Sequence, residues 1–144
     1  MKVLFDTSVL VAALVQPHPA HQRALPWFGR ASSGKLECVV SAYSIAELYA
    51  VLTTLPVSPR ITAGMAHRLI HENIESMASI IPLSVSDYLA TIKHLADLGI
   101  IGGSTYDALI IKAALKAGVD QILTFNSADF KRVWPDSNIP IKEP

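Results

Sequence analysis

The chain has 144 residues, 51% of them hydrophobic, with a mean hydropathy of +0.37, a composition that buries a sizeable core and fits one domain over residues 1–144. Twelve basic residues balance twelve acidic ones, so the global positive excess of many nucleic-acid binders is missing, although four acids gathered at one place would leave 12 basic against 8 acidic residues elsewhere, a balance of +4. No apolar run approaches the roughly 20 residues that span a bilayer, the N-terminus lacks the basic and long apolar regions of a signal peptide, and the lone Cys38 forms no intramolecular disulfide; the expectation is a cytoplasmic protein without membrane contact.

Val3-Leu4-Phe5 reads as a buried parallel strand that stops at Asp6, after which the chain turns helical through Val9 to Leu14. Asp6 suits the N-cap of that helix, and it also sits where open α/β sheets bind ligands, just past the carboxyl end of a strand. Pro17-His18-Pro19 breaks the chain, and Ala20 to Ala31 reads as a second helix that Pro26 should kink or divide. His18 and His21, beside a proline-rich break, read as surface residues rather than ligands.

Leu36 to Val40 forms the second strand, its Cys38 a buried structural thiol, and a third helix follows from Ser41 to about Leu55. Two readings of Glu47 stand side by side. Ser44 and Glu47 have the spacing of a capping box; alternatively the helix starts at Ser41, and Glu47 lies one and a half turns in, facing the same edge as Asp6. After a linker at Pro56–Pro59, Ile61, Met65, Leu69, Ile74 and Met77 mark one helix face. His67 and His71 share i,i+4 spacing, but Arg68 and Ile70 stand where zinc-protease motifs carry Glu, so both histidines read as solvated.

A short strand at Ser79–Leu83 and a helix opened by Ser86 lead to Gly99 as a C-cap. Gly102-Gly103-Ser104-Thr105-Tyr106-Asp107 then opens the apolar helix Ala108–Ala117. Ser104 and Asp107 match the start of a capped helix, and the glycine spacing of a nucleotide loop is absent. Asp120–Thr124 is a strand, Asn126 and Asp129 follow its end, and Ile139–Ile141 reads as a last short strand before a solvated tail.

Strands alternating with helices imply a mainly parallel sheet whose strand ends share one edge. Asp6, Glu47, Asp107 and Asp129 each follow a strand or sit in the first turns of a helix, so they can converge. Two carboxylates about 4 Å apart repel by about 4 kcal/mol at an effective dielectric near 20, and three such pairs by about 12 kcal/mol, against a typical domain stability of about 5 to 15 kcal/mol. Such a cluster needs protons or a cation, and oxygen donors without Cys or His favour Mg2+ or Mn2+ over zinc. Ser8, Thr124 and Asn126 supply small polar groups to orient those ligands or a water.

The combination resembles the PIN-domain ribonucleases, and among them the VapC-type toxins of toxin–antitoxin pairs. Val3-Leu4-Phe5-Asp6-Thr7-Ser8, Ser41 with Glu47-Leu48, Tyr106-Asp107-Ala108-Leu109-Ile110, and Leu123-Thr124-Phe125-Asn126 with Asp129-Phe130 carry the resemblance across nearly the whole chain. It implies a three-layer α/β/α fold with a central, mainly parallel sheet. It further implies Mg2+- or Mn2+-dependent endonuclease action on single-stranded RNA, a homodimer, and an antitoxin that blocks the site. Asp6, Glu47 and Asp107 match the family's acids, with Asp6 and Asp107 on the metal; Thr124 matches its hydroxyl. The fourth acid falls at the position of Asn126 in some members and at that of Asp129 in others, and in this chain the resemblance assigns it to Asp129. Two rivals remain: an aspartyl-nucleophile phosphatase, which lacks a general acid because Ser8 stands where Asp-x-Asp would need it, and a PIN-like module that binds RNA or protein without cleavage.

Overall fold

The computed structural model describes residues 1–144. Five strands, β1 (Lys2–Phe5), β2 (Glu37–Ser41), β3 (Ser79–Ile81), β4 (Gln121–Leu123) and β5 (Ile141–Lys142), form one sheet in the order β3-β2-β1-β4-β5, and every pairing is parallel. Seven α-helices connect them: α1 (Thr7–Leu14), α2 (His21–Ser32), α3 (Ala42–Thr54), α4 (Ala63–Ile70), α5 (Val85–Leu98), α6 (Ser104–Ala117) and α7 (Ser127–Val133).

Alternation along the strands divides the core in two. Val3, Phe5, Cys38, Val40 and Leu123 face a layer built from α1 to α4, whereas Leu4, Val39 and Ile122 face α5, α6 and α7. This is the expected three-layer α/β/α arrangement, and it explains why the strands read as unbroken apolar runs: both faces are covered. Cys38 is buried, and loss of hydration pushes its thiol up to about 12. No helix is long and apolar enough to cross a membrane.

The chain builds outward from β1 to β2 and β3, then returns to the other side of β1 with β4 and β5. Strand order therefore reverses between β1 and β4, and a crevice opens outside their carboxyl ends. Asp6 and Thr124 are the first residues past those two ends.

Several boundaries differ from the sequence expectation for identifiable reasons. α2 runs through Pro26 undivided. α3 starts directly after Ser41, so Ser44 lies inside the helix with a buried, unpartnered hydroxyl and forms no capping box with Glu47. α5 is capped by Ser84 rather than opened by Ser86: Ser84 Oγ accepts from the Asp87 amide while Asp87 accepts from the Ser84 amide. Likewise α6 starts at Ser104 with no side-chain cap, leaving Asp107 free for other work. The long apolar face after the linker is α4 continued by one π-helical turn, His71–Glu75, and β5 starts two residues later and ends one residue later than expected. The tail is not simply solvated, because Glu143 accepts from Ser127 and pairs with Arg23. His67 and His71 are exposed and stacked on each other, and His71 Nδ1 lies 2.9 Å from Glu75 Oε2.

Phe130 is fully buried and holds α7 against the sheet and α6. Phe130→Ala is expected to lower unfolding free energy by about 3 to 5 kcal/mol, measured by chemical denaturation.

Candidate active site

Asp6 directly follows β1 and caps α1, so the cap reading holds and the carboxylate also stands just past the strand's carboxyl end. Its Oδ1 accepts from the Thr7 amide at 2.8 Å, and its Oδ2 accepts from Ser8 Oγ at 2.8 Å and from Thr124 Oγ1 at 2.8 Å. Ser8 Oγ in turn accepts from the Phe125 amide, and Thr124 Oγ1 from the Asn126 amide. The ends of β1 and β4 are thus stitched through one carboxylate. Only 3% of Asp6 is exposed. Burial raises its pKa; the bonds from Ser8, Thr124 and Thr7 oppose that, and the charge of Glu47 adds to it.

Asp107 comes from the first turn of α6. Burial, then the charges of Asp6, Asp129 and Glu47, push it up to about 6, while Arg132 pulls the other way. Three acids from separate elements are therefore felt at one carboxyl. Glu47 arrives from α3, where the start at Ser41 carries it to the same edge, and its Oε2 accepts from Tyr43 Oη at 3.0 Å.

Asp6, Glu47 and Asp107 line a cavity of about 500 Å3 together with Ser8 and Asn126, opposite an apolar wall that includes Val11, Val51, Leu55 and Phe125. Asp129 does not line it. Its side chain is 59% exposed and stands 3.9 Å from Arg132 Nη2, reaching the site only through its charge on Asp107. His18, read from sequence as a surface residue, lines the cavity, and His21 is half-buried with Nδ1 2.8 Å from the Ala12 carbonyl oxygen. Sequence reasoning also passed over Tyr43, whose ring stacks on Tyr106 with centroids 5.3 Å apart, and Arg132. The only sequence signal for these two was an aromatic and a cation near acids.

The donor set suits a hard divalent cation. The side chains are not drawn together into a closed group of three or more Asp, Glu, His or Cys ligands. The carboxyl of Asp107 accepts no hydrogen bond from the protein and is free to ligate.

The PIN domain family model matches residues 3–134. The chain belongs to the PIN-domain family. Two Mycobacterium tuberculosis proteins are similar to this PIN domain: Ribonuclease VapC27 is 35% identical over 113 residues, covering 76% of this chain and 74% of that protein, and Ribonuclease VapC40 is 34% identical over 113 residues, covering 78% of each. Among solved structures, VapBC2 from Rickettsia felis bound to a DNA fragment from their promoter matches with a TM-score of 0.68 at 19% identity, over 100% of this chain and 99% of that one. Family membership brings general metal dependence with it, in accord with the oxygen donors gathered at this edge.

In metal-free protein, Asp107 should titrate near pH 6 by carboxyl-carbon NMR, and Asp6→Asn should lower that midpoint. Because the native state then holds a proton that the unfolded chain has lost, stability contributed by this group is present below about pH 4 and is lost as pH rises toward 6. Asp107→Asn should flatten the fall in Tm across that window in EDTA.

Proposed function

We propose that the protein, as a single PIN domain over residues 1–144, is a metal-dependent endoribonuclease that cleaves single-stranded RNA and serves as the toxin of a toxin–antitoxin pair. The observation that carries this is the placement of Asp6, Glu47 and Asp107 around one crevice at the strand-order reversal, in a chain about one third identical to two VapC ribonucleases. A non-cleaving binding module is disfavoured, because it has no use for a carboxylate cluster that opposes its own folding. A phosphatase using Asp6 as nucleophile fits no better: Ser8 and Thr124 both donate to Oδ2, and the Thr7 amide occupies Oδ1.

In this reading Asp6 and Asp107 hold Mg2+ or Mn2+, which when bound supplies charge neutralisation at the scissile phosphate and a more acidic water. Asp6 binds rigidly because three donors fix its carboxylate. Asp107 would bind as the carboxylate, the form that still predominates at neutral pH although its pKa is raised to about 6. Glu47, oriented by Tyr43, accepts a proton from the attacking water, and Asn126 at the crevice mouth orients that water or a phosphate oxygen. Ser8 and Thr124 act through Asp6 by holding its rotamer. Asp129 adds negative charge near the rim, which raises the pKa of Asp107 and would be offset by a bound cation. RNA cleavage at the cost of one water thus needs no covalent enzyme intermediate.

Two partners go with this role. The apolar wall beside the acids suits a cognate antitoxin segment that blocks the crevice with apolar side chains and a basic group. A homodimer is supported by α5, which packs inward through Thr91 and Leu95 while Val85 (77% exposed), Leu89 (62%) and Ile92 (54%) stand uncovered beside Tyr88. These four are uncharged, so the face is compatible with itself across a two-fold axis.

Purified protein should cut a mixed RNA pool with Mg2+ or Mn2+ and not with EDTA, and Asp6→Asn should lower the rate by at least about 100-fold, the scale typical of losing one preorganised electrostatic group. Full activity of Asp6→Asn, with folding intact, would sink the assignment. Leu89→Asp should convert a dimer to a monomer in sedimentation equilibrium.

A further inference from the structure

Tyr43 and Tyr106 form a parallel pair, 4° between planes and 5.3 Å between centroids, across the first turns of α3 and α6. Each ring is tied to a different acid of the crevice. Tyr43 donates its hydroxyl proton to Glu47, and Tyr106 directly precedes Asp107. The two rings differ in surroundings. Tyr43 is half-buried, and its hydroxyl is held more firmly protonated by burial and by the neighbouring Glu47. Tyr106 is 51% exposed, and its hydroxyl makes no hydrogen bond within the protein. Half exposed and stacked on Tyr43, Tyr106 stands outside the crevice lining but one residue before Asp107, which is part of that lining.

Exposed aromatic surface costs free energy in water, and this ring contributes nothing to either buried cluster. What its geometry suits is another flat aromatic group. Nucleobases stack on tyrosine rings regardless of sequence, because every base has a π-face, and a ring already fixed by a neighbour loses little freedom when a base lands on it. The surroundings favour a strand of nucleic acid over a lone base. Arg132 on α7 donates to Ser104 Oγ at 2.7 Å, two residues before Tyr106, and its charge is felt at Asp107, so a cation stands beside the same helix turn where a flanking phosphate would lie.

We propose that Tyr106, backed by Tyr43, is a substrate-positioning platform on which an unpaired base of the RNA strand stacks next to the scissile phosphate. This rests on the ribonuclease reading above. It assigns the platform a role in selecting splayed, single-stranded nucleotides: a base locked in a duplex cannot offer its face to Tyr106 while its phosphate enters the crevice. The pair therefore contributes to substrate choice rather than to bond cleavage.

The test compares wild type with Tyr106→Phe and Tyr106→Leu, the second keeping apolar bulk but not the aromatic face. Binding is read by anisotropy on a labelled single-stranded RNA pool carrying 2-aminopurine, with Ca2+ in place of Mg2+ to slow turnover, and stacking by quenching of the 2-aminopurine. Tyr106→Leu is expected to weaken Kd by about 5- to 150-fold and to abolish quenching, and with Mg2+ to raise KM with little change in kcat. Tyr106→Phe should retain binding and quenching, because only the ring is required. Unaltered Kd and quenching in Tyr106→Leu would overturn the platform, as would a Phe variant as weak as the Leu variant. Wild type that binds and quenches but cuts no RNA with Mg2+ would instead overturn the ribonuclease reading and leave the platform standing; wild type that binds no RNA would overturn both.

Discussion

Everything at the crevice depends on keeping one carboxylate, Asp6, out of water. A lone carboxyl at that depth would take up a proton, and burial does push Asp6 in that direction. Three donors oppose the shift, and they come from two strands' ends: Thr7 and Ser8 follow β1, while Thr124 follows β4. The same bonds therefore prepare the acid and fasten the sheet where its strand order reverses. Ser8 and Thr124 are themselves held by the amides of Phe125 and Asn126, so the carboxylate has little freedom to turn.

Around this fixed point the remaining acids are arranged with graded freedom. Asp107 is half-buried, unbonded and raised to about 6 by burial first and then by its neighbours' charge, which makes it the acid whose protonation a cation displaces. Glu47 is guided by Tyr43 alone, and Asp129 stays in solvent near Arg132. Such a gradient suits an ion that enters from solution with most of its waters. It also means that the site is under electrostatic tension without a cation. Local repulsion of this kind is tolerable because both sheet faces are covered by fully buried side chains such as Phe5, Leu48, Ile111 and Phe130.

The fold was largely legible because parallel strands buried on both faces are continuous apolar runs, and each ended at a polar residue that the topology brings to one edge. Asp6 and Asp107 could be read for that reason. Glu47 could not be settled, since Ser44 and Glu47 satisfy the spacing of a capping box equally well; only the start of α3 after Ser41 decides between them. Asp129 shows the opposite failure. Its position after β4 fits a ligand, yet within α7 it stands exposed beside Arg132 at i+3, and the sequence leaves that pairing and a place in the crevice equally open. His18 was hidden because a proline-rich break reads as surface, whereas packing of α2 against α1 folds it over the crevice. Pro26 misled because a proline is tolerated within a helix when the neighbouring turns are held by tertiary contacts, here Ala24, Phe28 and Ala31 in the core.

Tyr43 and Tyr106 belong to a class of feature that sequence cannot supply, a contact between the first turns of two helices more than sixty residues apart. Together with the carboxylates they divide the labour at the edge: aromatic surface to hold a strand, oxygen donors to hold an ion.

The central claim, that Asp6 and Asp107 jointly hold a divalent cation, is tested most directly by a crystal of the protein soaked in Mn2+ and measured for anomalous scattering. The account predicts one peak in the crevice within bonding distance of a carboxylate oxygen of each residue, absent from Asp107→Asn crystals. A peak that ignores Asp6 and Asp107, or an empty crevice at saturating Mn2+ and neutral pH, would contradict it.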